Sequence, residues 1–337
     1  MDIVTHFALG ACIAEFARKK NENKKILFLG GFVQCLPDID TIEGLFLPAD
    51  RSLMIHRGIT HSFFFAVVAG VILSLFAYRI FKAAGRPFLS ISLFVVFQLI
   101  LHDLLDVCNA YGTALLEPFN HRRFSLNLLF VADPLFSLGL IIAAMVLLFS
   151  NGNYNRRLKW VRAALLFSCC YLAYAGINKT IIDSRVSAAL HNRKIGFKDY
   201  FATPAPFNSV LWYIIVDTDS YYYTAYSSVY DSKSRNIEFE THPKNYGLLN
   251  LTRGRHSVQN FREFAAGYYT ISGSANKPYI NILRFGQIQG WRIRNAPFVL
   301  SCPLISNGPH IVPLQQARLT GWDMNSITVY FRRITGN

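Results

Sequence analysis

Six apolar segments crowd the first 180 residues and limit what this chain can fold into. They run over about Ile3 to Ala17, Ile26 to Leu36, Phe63 to Tyr78, Phe88 to Leu105, Pro134 to Phe149 and Trp160 to Ile177. A helix that crosses a bilayer needs about 20 residues, with a usual range of roughly 17 to 25. The first two segments therefore predict a hairpin packed against the others, or helices that only partly cross. The 337-residue chain is 52% hydrophobic and 16% charged, which fits an integral membrane protein better than a soluble one. The bias is uneven, because residues 181–337 lack such runs. The expected fold is an α-helical multi-pass membrane domain of about 4–6 helices over 1–178, a polar connector over 179–202, and a β-rich soluble domain over 203–337. Thr203-Pro204-Ala205-Pro206 marks a break. Beyond it, Val210 to Val216, Tyr221 to Tyr230, Tyr268 to Ser272, Tyr279 to Phe285 and Ser326 to Ile334 have strand composition.

The net charge of +14 accompanies neither a basic recognition motif nor a clustered patch, so no nucleic-acid partner is expected. Its placement sets topology instead. Arg18, Lys19, Lys20, Lys24, Lys25, Arg79, Lys82, Arg86, Arg156, Arg157, Lys159 and Arg162 are twelve charges in loops on one side, against Arg51, Arg57, Arg122 and Arg123 on the other. The positive-inside rule makes the first side cytoplasmic, with the chain after Ile177 emerging outside. No Lys or Arg precedes the first apolar run, so it is not a standard signal peptide. Cys12, Cys35, Cys108, Cys169, Cys170 and Cys302 form no Cys-x-x-Cys pair, which supports neither a zinc ribbon nor a disulfide framework.

This topology brings the unusual polar residues to one membrane face. His6 opens segment one; Asp38 and Asp40 follow segment two; His56-Arg57-Gly58-Ile59-Thr60-His61-Ser62 precedes segment three; His102, Asp103 and Asp106 end segment four; Asp133 precedes segment five. His102 and Asp106 at i and i+4 share a helical face, which suits one cation or a plain helix-end ion pair. An extended Asp38-x-Asp40 sends both carboxylates the same way, as a turn or as a metal site. Thr60 and Ser62 are expected to cap a helix. Arg57 fits a phosphate, a developing oxyanion or a lipid headgroup. Asp133 reads as an N-cap or a catalytic acid, and Asn127 as a hydrogen bonder to substrate or ligands. His121, His191, His242, His256 and His310 lack such a setting. Carboxylates with imidazoles suit Zn²⁺, Mn²⁺ or Fe, one ion or a pair, to activate water for ester or phosphoester hydrolysis. No Gly-x-Ser-x-Gly nucleophile competes.

Met1 to His6, Leu36 to Asp40, His56 to Ser62, His102 to Asp106 with Ala110-Tyr111-Gly112-Thr113, Pro118-Phe119, and Phe130 to Pro134 together resemble the YdjM-like family of inner-membrane metal-dependent hydrolases. The likeness covers residues 1 to about 135, and continues more weakly through Pro204 to Asn208 and Trp212. It implies a bacterial multi-pass inner-membrane protein with a divalent-metal site formed by His6, Asp38, Asp40, His56, His61, His102 and Asp106. Zn is the first choice of ion. Asp103 departs from the neutral residue expected there and adds an acid beside the site. The expected function is a membrane-bound hydrolase of a lipid-like ester or phosphoester, with Arg57, Asp103, Asn127 and Asp133 as catalytic candidates, and with the site and the C-terminal domain outside the cytoplasm. The rival reading is a non-enzymatic membrane protein whose metal site is structural or regulatory. A transporter is disfavoured, because residues 66–76 and 91–97 carry no ionisable group.

Overall fold

Each of the six apolar segments is a helix in the computed structural model, which describes residues 1–20, 24–81, 85–150, 153–232, 234–251, 255–274, 277–304, 314–315 and 321–337. Lys82 and His310 lie outside the described residues. The Asp2 carboxylate accepts from the Thr5 amide and starts α1 (Ile3–Ala17). Against it packs α2 (Lys25–Cys35). Their approach is close because Gly10 meets Gly30: a Cβ on Gly10 would lie 2.3 Å from the Gly30 carbonyl oxygen. Only glycine tolerates that distance.

A 3-10 turn, Pro37–Ile39, leads into the short α3 (Asp40–Gly44), which α4 (Ala49–Ile55) follows. A second 3-10 turn, Ile59–His61, precedes α5 (Phe63–Phe81), then α6 (Phe88–Val107), α7 (Pro134–Phe149) and α8 (Tyr154–Asn192). Of these, α6 and α8 are long and apolar enough to cross a membrane. Asp50–His61 with Phe63–Arg79, bent by 61°, makes a third candidate span. Among the described residues the helical region thus has two or three candidate spans, while α1, α2 and α7 are shorter apolar helices. Its polarity is inverted relative to a soluble protein. Phe64, Val68, Ile72 and Phe76 of α5 and Leu89, Leu93 and Phe97 of α6 are exposed, whereas Gln34, Gln98, His102, Asp103 and Asp106 are buried.

Two compact units emerge, Met1–Glu43 with Ile55–Tyr174, and Gly44–Met54 with Ala175–Asn337. In the first, the fully buried Glu15 accepts Nε and Nη2 of Arg18, both at 2.9 Å, and Nε and Nη2 of Arg157 at 3.0 and 2.9 Å.

In the second unit, β1 (Asp199–Pro204), β2 (Leu211–Asp217), β3 (Tyr221–Ser228) and β4 (Glu240–Pro243) form an antiparallel sheet in sequence order. Ile182, Val186 and Leu190, four apart on the later part of α8, pack with Trp212, Ile214 and Val216 of β2 in one core. After α9 (Arg255–Phe264) a second antiparallel sheet joins β5 (Tyr269–Ser274), β6 (Lys277–Gln287), β7 (Phe298–Pro303) and β8 (Leu314–Gln315).

Ser326 to Ile334, expected as a strand, is instead helix α10 (Met324–Ile334). Its Thr, Val, Tyr, Phe and Ile favour strands, but the Asp323 carboxylate accepts the Ser326 amide at 2.7 Å and caps a helix. Ser326 and Tyr330, four apart, are its buried positions.

Glu15→Ala leaves two buried guanidiniums without their anion. It is expected to cost about 3–5 kcal/mol, read as a lower thermal midpoint of the detergent-solubilised protein. An unchanged midpoint would show that the Arg18–Glu15–Arg157 arrangement contributes no stability.

Candidate metal centre

The cluster is assembled where three chain segments meet at the C-terminal end of α6. Its last turn supplies His102 and Asp106, the 3-10 turn after α2 supplies Asp38, and the 3-10 turn before α5 supplies His61. His61 Nε2 lies 3.4 Å from Asp38 Oδ1 and 3.5 Å from Asp106 Oδ2; His102 Nε2 lies 3.8 Å from each. These four donor atoms sit within 4.8 Å of one another. A tetrahedral ion with arms of about 2.0–2.2 Å places its ligands roughly 3.3–3.6 Å apart, which this spacing approaches.

The unmet hydrogen-bonding capacity points the same way. His61 Nε2 and His102 Nε2 are buried without a hydrogen-bond partner among the described residues, and Asp106 Oδ2, though 3.1 Å from Arg57 Nε, accepts no hydrogen bond of good geometry. Orphaned buried polar atoms are costly and rare. The opposite ring nitrogens are occupied: His102 Nδ1 lies 2.6 Å from the Gln34 carbonyl oxygen, while His61 Nδ1 lies 3.0 Å from Thr60 Oγ1 and 3.3 Å from Asp40 Oδ2. A proton on Nδ1 leaves the Nε2 lone pair free, the tautomer a metal requires. A divalent cation therefore fits these residues.

The other expected ligands stand one layer out. His6 stacks on His102 with ring centroids 3.8 Å apart, and its Nε2 is 3.2 Å from Asp106 Oδ1. Asp40 does not join Asp38 in the four-atom group. The sequence reading assumed an extended Asp-x-Asp, but the backbone is a 3-10 turn with about 3.0 residues per turn, so residues two apart point in different directions. The Asp40 carboxylate instead receives His56 Nδ1 at 2.9 Å, the Arg57 amide at 2.9 Å and Thr60 Oγ1 at 2.8 Å. Burial disfavours its charge, yet the hydrogen bonds from His56 and His61 outweigh that and hold it below the usual carboxylate range. Thr60, expected to cap a helix, is drawn onto Asp40. Ser62 does cap α5, accepting the Phe65 amide at 3.1 Å.

Arg57 holds a left-handed backbone, φ 63°, a conformation uncommon for a residue with a side chain. That bend lets its amide reach Asp40 while its Nε reaches Asp106 Oδ2 at 3.1 Å and its Nη1 donates to Asn109 at 2.7 Å. The Met1 amine also donates to Asp106. Asp103 is fully buried, and neither carboxylate oxygen has a hydrogen-bond partner among the described residues.

Asp133 is occupied as the N-cap of α7, accepting the Leu135 amide at 3.0 Å, and takes the Tyr171 hydroxyl at 2.8 Å. Asn127, φ 53°, accepts from Ser125 in its own loop. Gln34 and Asn109 are not among the residues singled out in the sequence; Tyr111, quoted there only within the family motif, has its ring 5.0 Å from the Arg57 guanidinium carbon. Asn109, three residues beyond Asp106, was the one discernible from spacing.

With this geometry in hand, comparison with known proteins is informative. The model of the family described as YdjM inner membrane protein matches residues 1–182, more than half the chain. The chain belongs to the YdjM inner membrane protein family. Every residue of the centre lies within the match, which extends past the motifs that end near residue 135; the weaker likeness through Pro204 to Trp212 falls beyond it. The inner membrane protein YbcI of Escherichia coli (strain K12) is 32% identical over 124 residues, covering 36% of this chain and 70% of that protein. The uncharacterized protein YfhP of Bacillus subtilis (strain 168) is 28% identical over 159 residues, 46% of this chain. The match spans 44% of YfhP's own length. No solved structure matches the chain.

Asp40→Asn keeps the shape but weakens the hold on His61. Metal affinity of the purified protein, measured by competition with a chelator, is expected to fall about 10–100-fold. Unchanged affinity would remove Asp40 from any role in orienting His61.

Proposed function

We propose that this chain is a membrane-bound metal-dependent hydrolase acting on an ester or phosphoester of an amphipathic or lipid-linked substrate. The supporting observation is the group of four donor atoms around one centre, three of them buried and without hydrogen bonds. Asp38, His61, His102 and Asp106 would hold the ion, with His6 available beside them for a second. Zn is the first choice, with Mn or Fe as alternatives. A bound divalent ion supplies a Lewis acid and an activated water.

The chain's own groups do the rest. Asp40, steadied by His56, Arg57 and Thr60, fixes the His61 tautomer. Arg57 places a guanidinium beside Asp106, suited to the negative charge of a phosphoester. Of the acids considered as general base, Asp133 is committed to its cap and to Tyr171, which leaves Asp103 as the free carboxylate. The apolar faces of α5 and α6 favour a lipid-like substrate arriving from the bilayer. In this reading α1, α2 and α7 complete a multi-pass domain over 1–178, 179–202 connects, and the centre and the β-rich domain over 203–337 face away from the cytoplasm.

A second reading, a non-enzymatic membrane protein with a structural or regulatory site, has one observation in its favour: Asp106 already meets two cations, the Met1 amine and Arg57.

Purified full-length protein is expected to carry about one or two divalent ions per chain. His61→Ala and Asp106→Asn should each lose metal and the hydrolysis of a dispersed phospholipid. Metal content unchanged in both variants would overturn the site. Metal that raises the thermal midpoint, with no ester or phosphoester substrate turned over, would favour the non-enzymatic reading.

A further inference from the structure

The second unit holds a partly open cavity of about 200 Å³, lined by residues that all lie beyond the matched 1–182. That is below the roughly 300–1,000 Å³ that accommodates a drug-sized ligand, so its occupant is small. Four guanidinium groups line it: Arg235, Arg292, Arg294 and Arg333. Arg333 is fixed, paired in a fork with Asp231 at 2.6 and 2.9 Å, and bound to the Tyr226 carbonyl at 2.9 Å. The others are looser. Arg235 donates to the Gly336 carbonyl at 2.8 Å and lies 3.7 Å from Asp231, Arg294 is 83% exposed and 4.0 Å from Glu240, which also lines the cavity, and Arg292 donates to Ser326 Oγ at 3.0 Å. Such convergence on one small cavity favours an anion, because planar guanidinium forks match carboxylate and phosphate.

The remaining wall is not that of a simple anion hole. Trp291 lines it with a ring held in place by Tyr330 at 4.4 Å and Trp322 at 5.2 Å between centroids. Its buried Nε1–H has no acceptor among the described residues. An immobilised indole offers an apolar face. Glu238 and Gln287 add acceptors for hydroxyl donors. An anionic group, an apolar ring face and several hydroxyls in so small a volume describe an acidic sugar.

We propose that this cavity binds one hexose-sized sugar unit carrying a carboxylate or a phosphate, with Arg292 and Arg294 taking the anion and Trp291 the ring. The site is independent of the metal centre.

Isothermal titration of the full-length, detergent-solubilised protein with glucuronate, glucose 6-phosphate, glucose and inorganic phosphate tests this. At least one charged sugar is expected to bind, with glucose and inorganic phosphate at least about tenfold weaker. Binding of glucuronate alone or glucose 6-phosphate alone identifies which anion is read. The double variant Arg292→Ala/Arg294→Ala alters two exposed side chains, so its thermal midpoint should hold while affinity falls at least about tenfold. The proposal is overturned if neither charged sugar binds, if inorganic phosphate alone binds as tightly, or if the double variant binds like the parent.

Discussion

A carboxylate buried at the C-terminal end of a helix meets both desolvation and the negative pole of the helix dipole, so it persists only beside positive charge. Asp106, in the last turn of α6, is that group, and the surrounding chain is arranged to answer it. Arg57 adopts a left-handed backbone that brings its guanidinium to Asp106 and its amide to Asp40. His6 is delivered by the first turns of α1, and His61 by a tight turn before α5.

The same helix carries a second charged cluster toward its other end. At one end of α1, His6 faces Asp106; toward the other, Glu15 is gripped by Arg18 and Arg157. Between them Gly10 and Gly30 let α1 and α2 touch backbone to backbone, while Gln98 donates to the Gly10 carbonyl at 3.0 Å. Where apolar side chains face outward there is little hydrophobic gain from pressing helices together, and close van der Waals contact with a few buried polar links takes over. Both polar clusters thus register α1 against its neighbours and make the position of His6 well defined.

How much of this was legible follows from the range of each signal. Apolar periodicity is local, and all six segments read from it are helices. His6, Asp38, His61, His102 and Asp106, expected from the loop charges to share one face, lie together at the C-terminal end of α6. What needed coordinates was direction over one or two residues. Glu15 is not singled out by the sequence, since nothing nearby announces Arg157, 142 positions away. In α10, β-branched and aromatic residues outvoted a cap at Asp323 that takes only one hydrogen bond to establish.

The division of labour between Asp38 and Asp40 shows how a backbone choice becomes chemistry. Asp40 satisfies the Arg57 amide, Thr60 and His56 at once, so moving it to a cation would strand one buried and two half-buried donors. Among the described residues Asp38 has no such commitment: its Oδ1 lies 3.4 and 3.8 Å from His61 and His102, and its side chain keeps 14% exposure where these neighbours have none. The less constrained carboxylate is the one that can shift as an ion or a substrate arrives, and the more constrained one keeps an imidazole aimed. A strand in place of the 3-10 turn would have made the two equivalent, with two carboxylates repelling each other and no group left to orient His61.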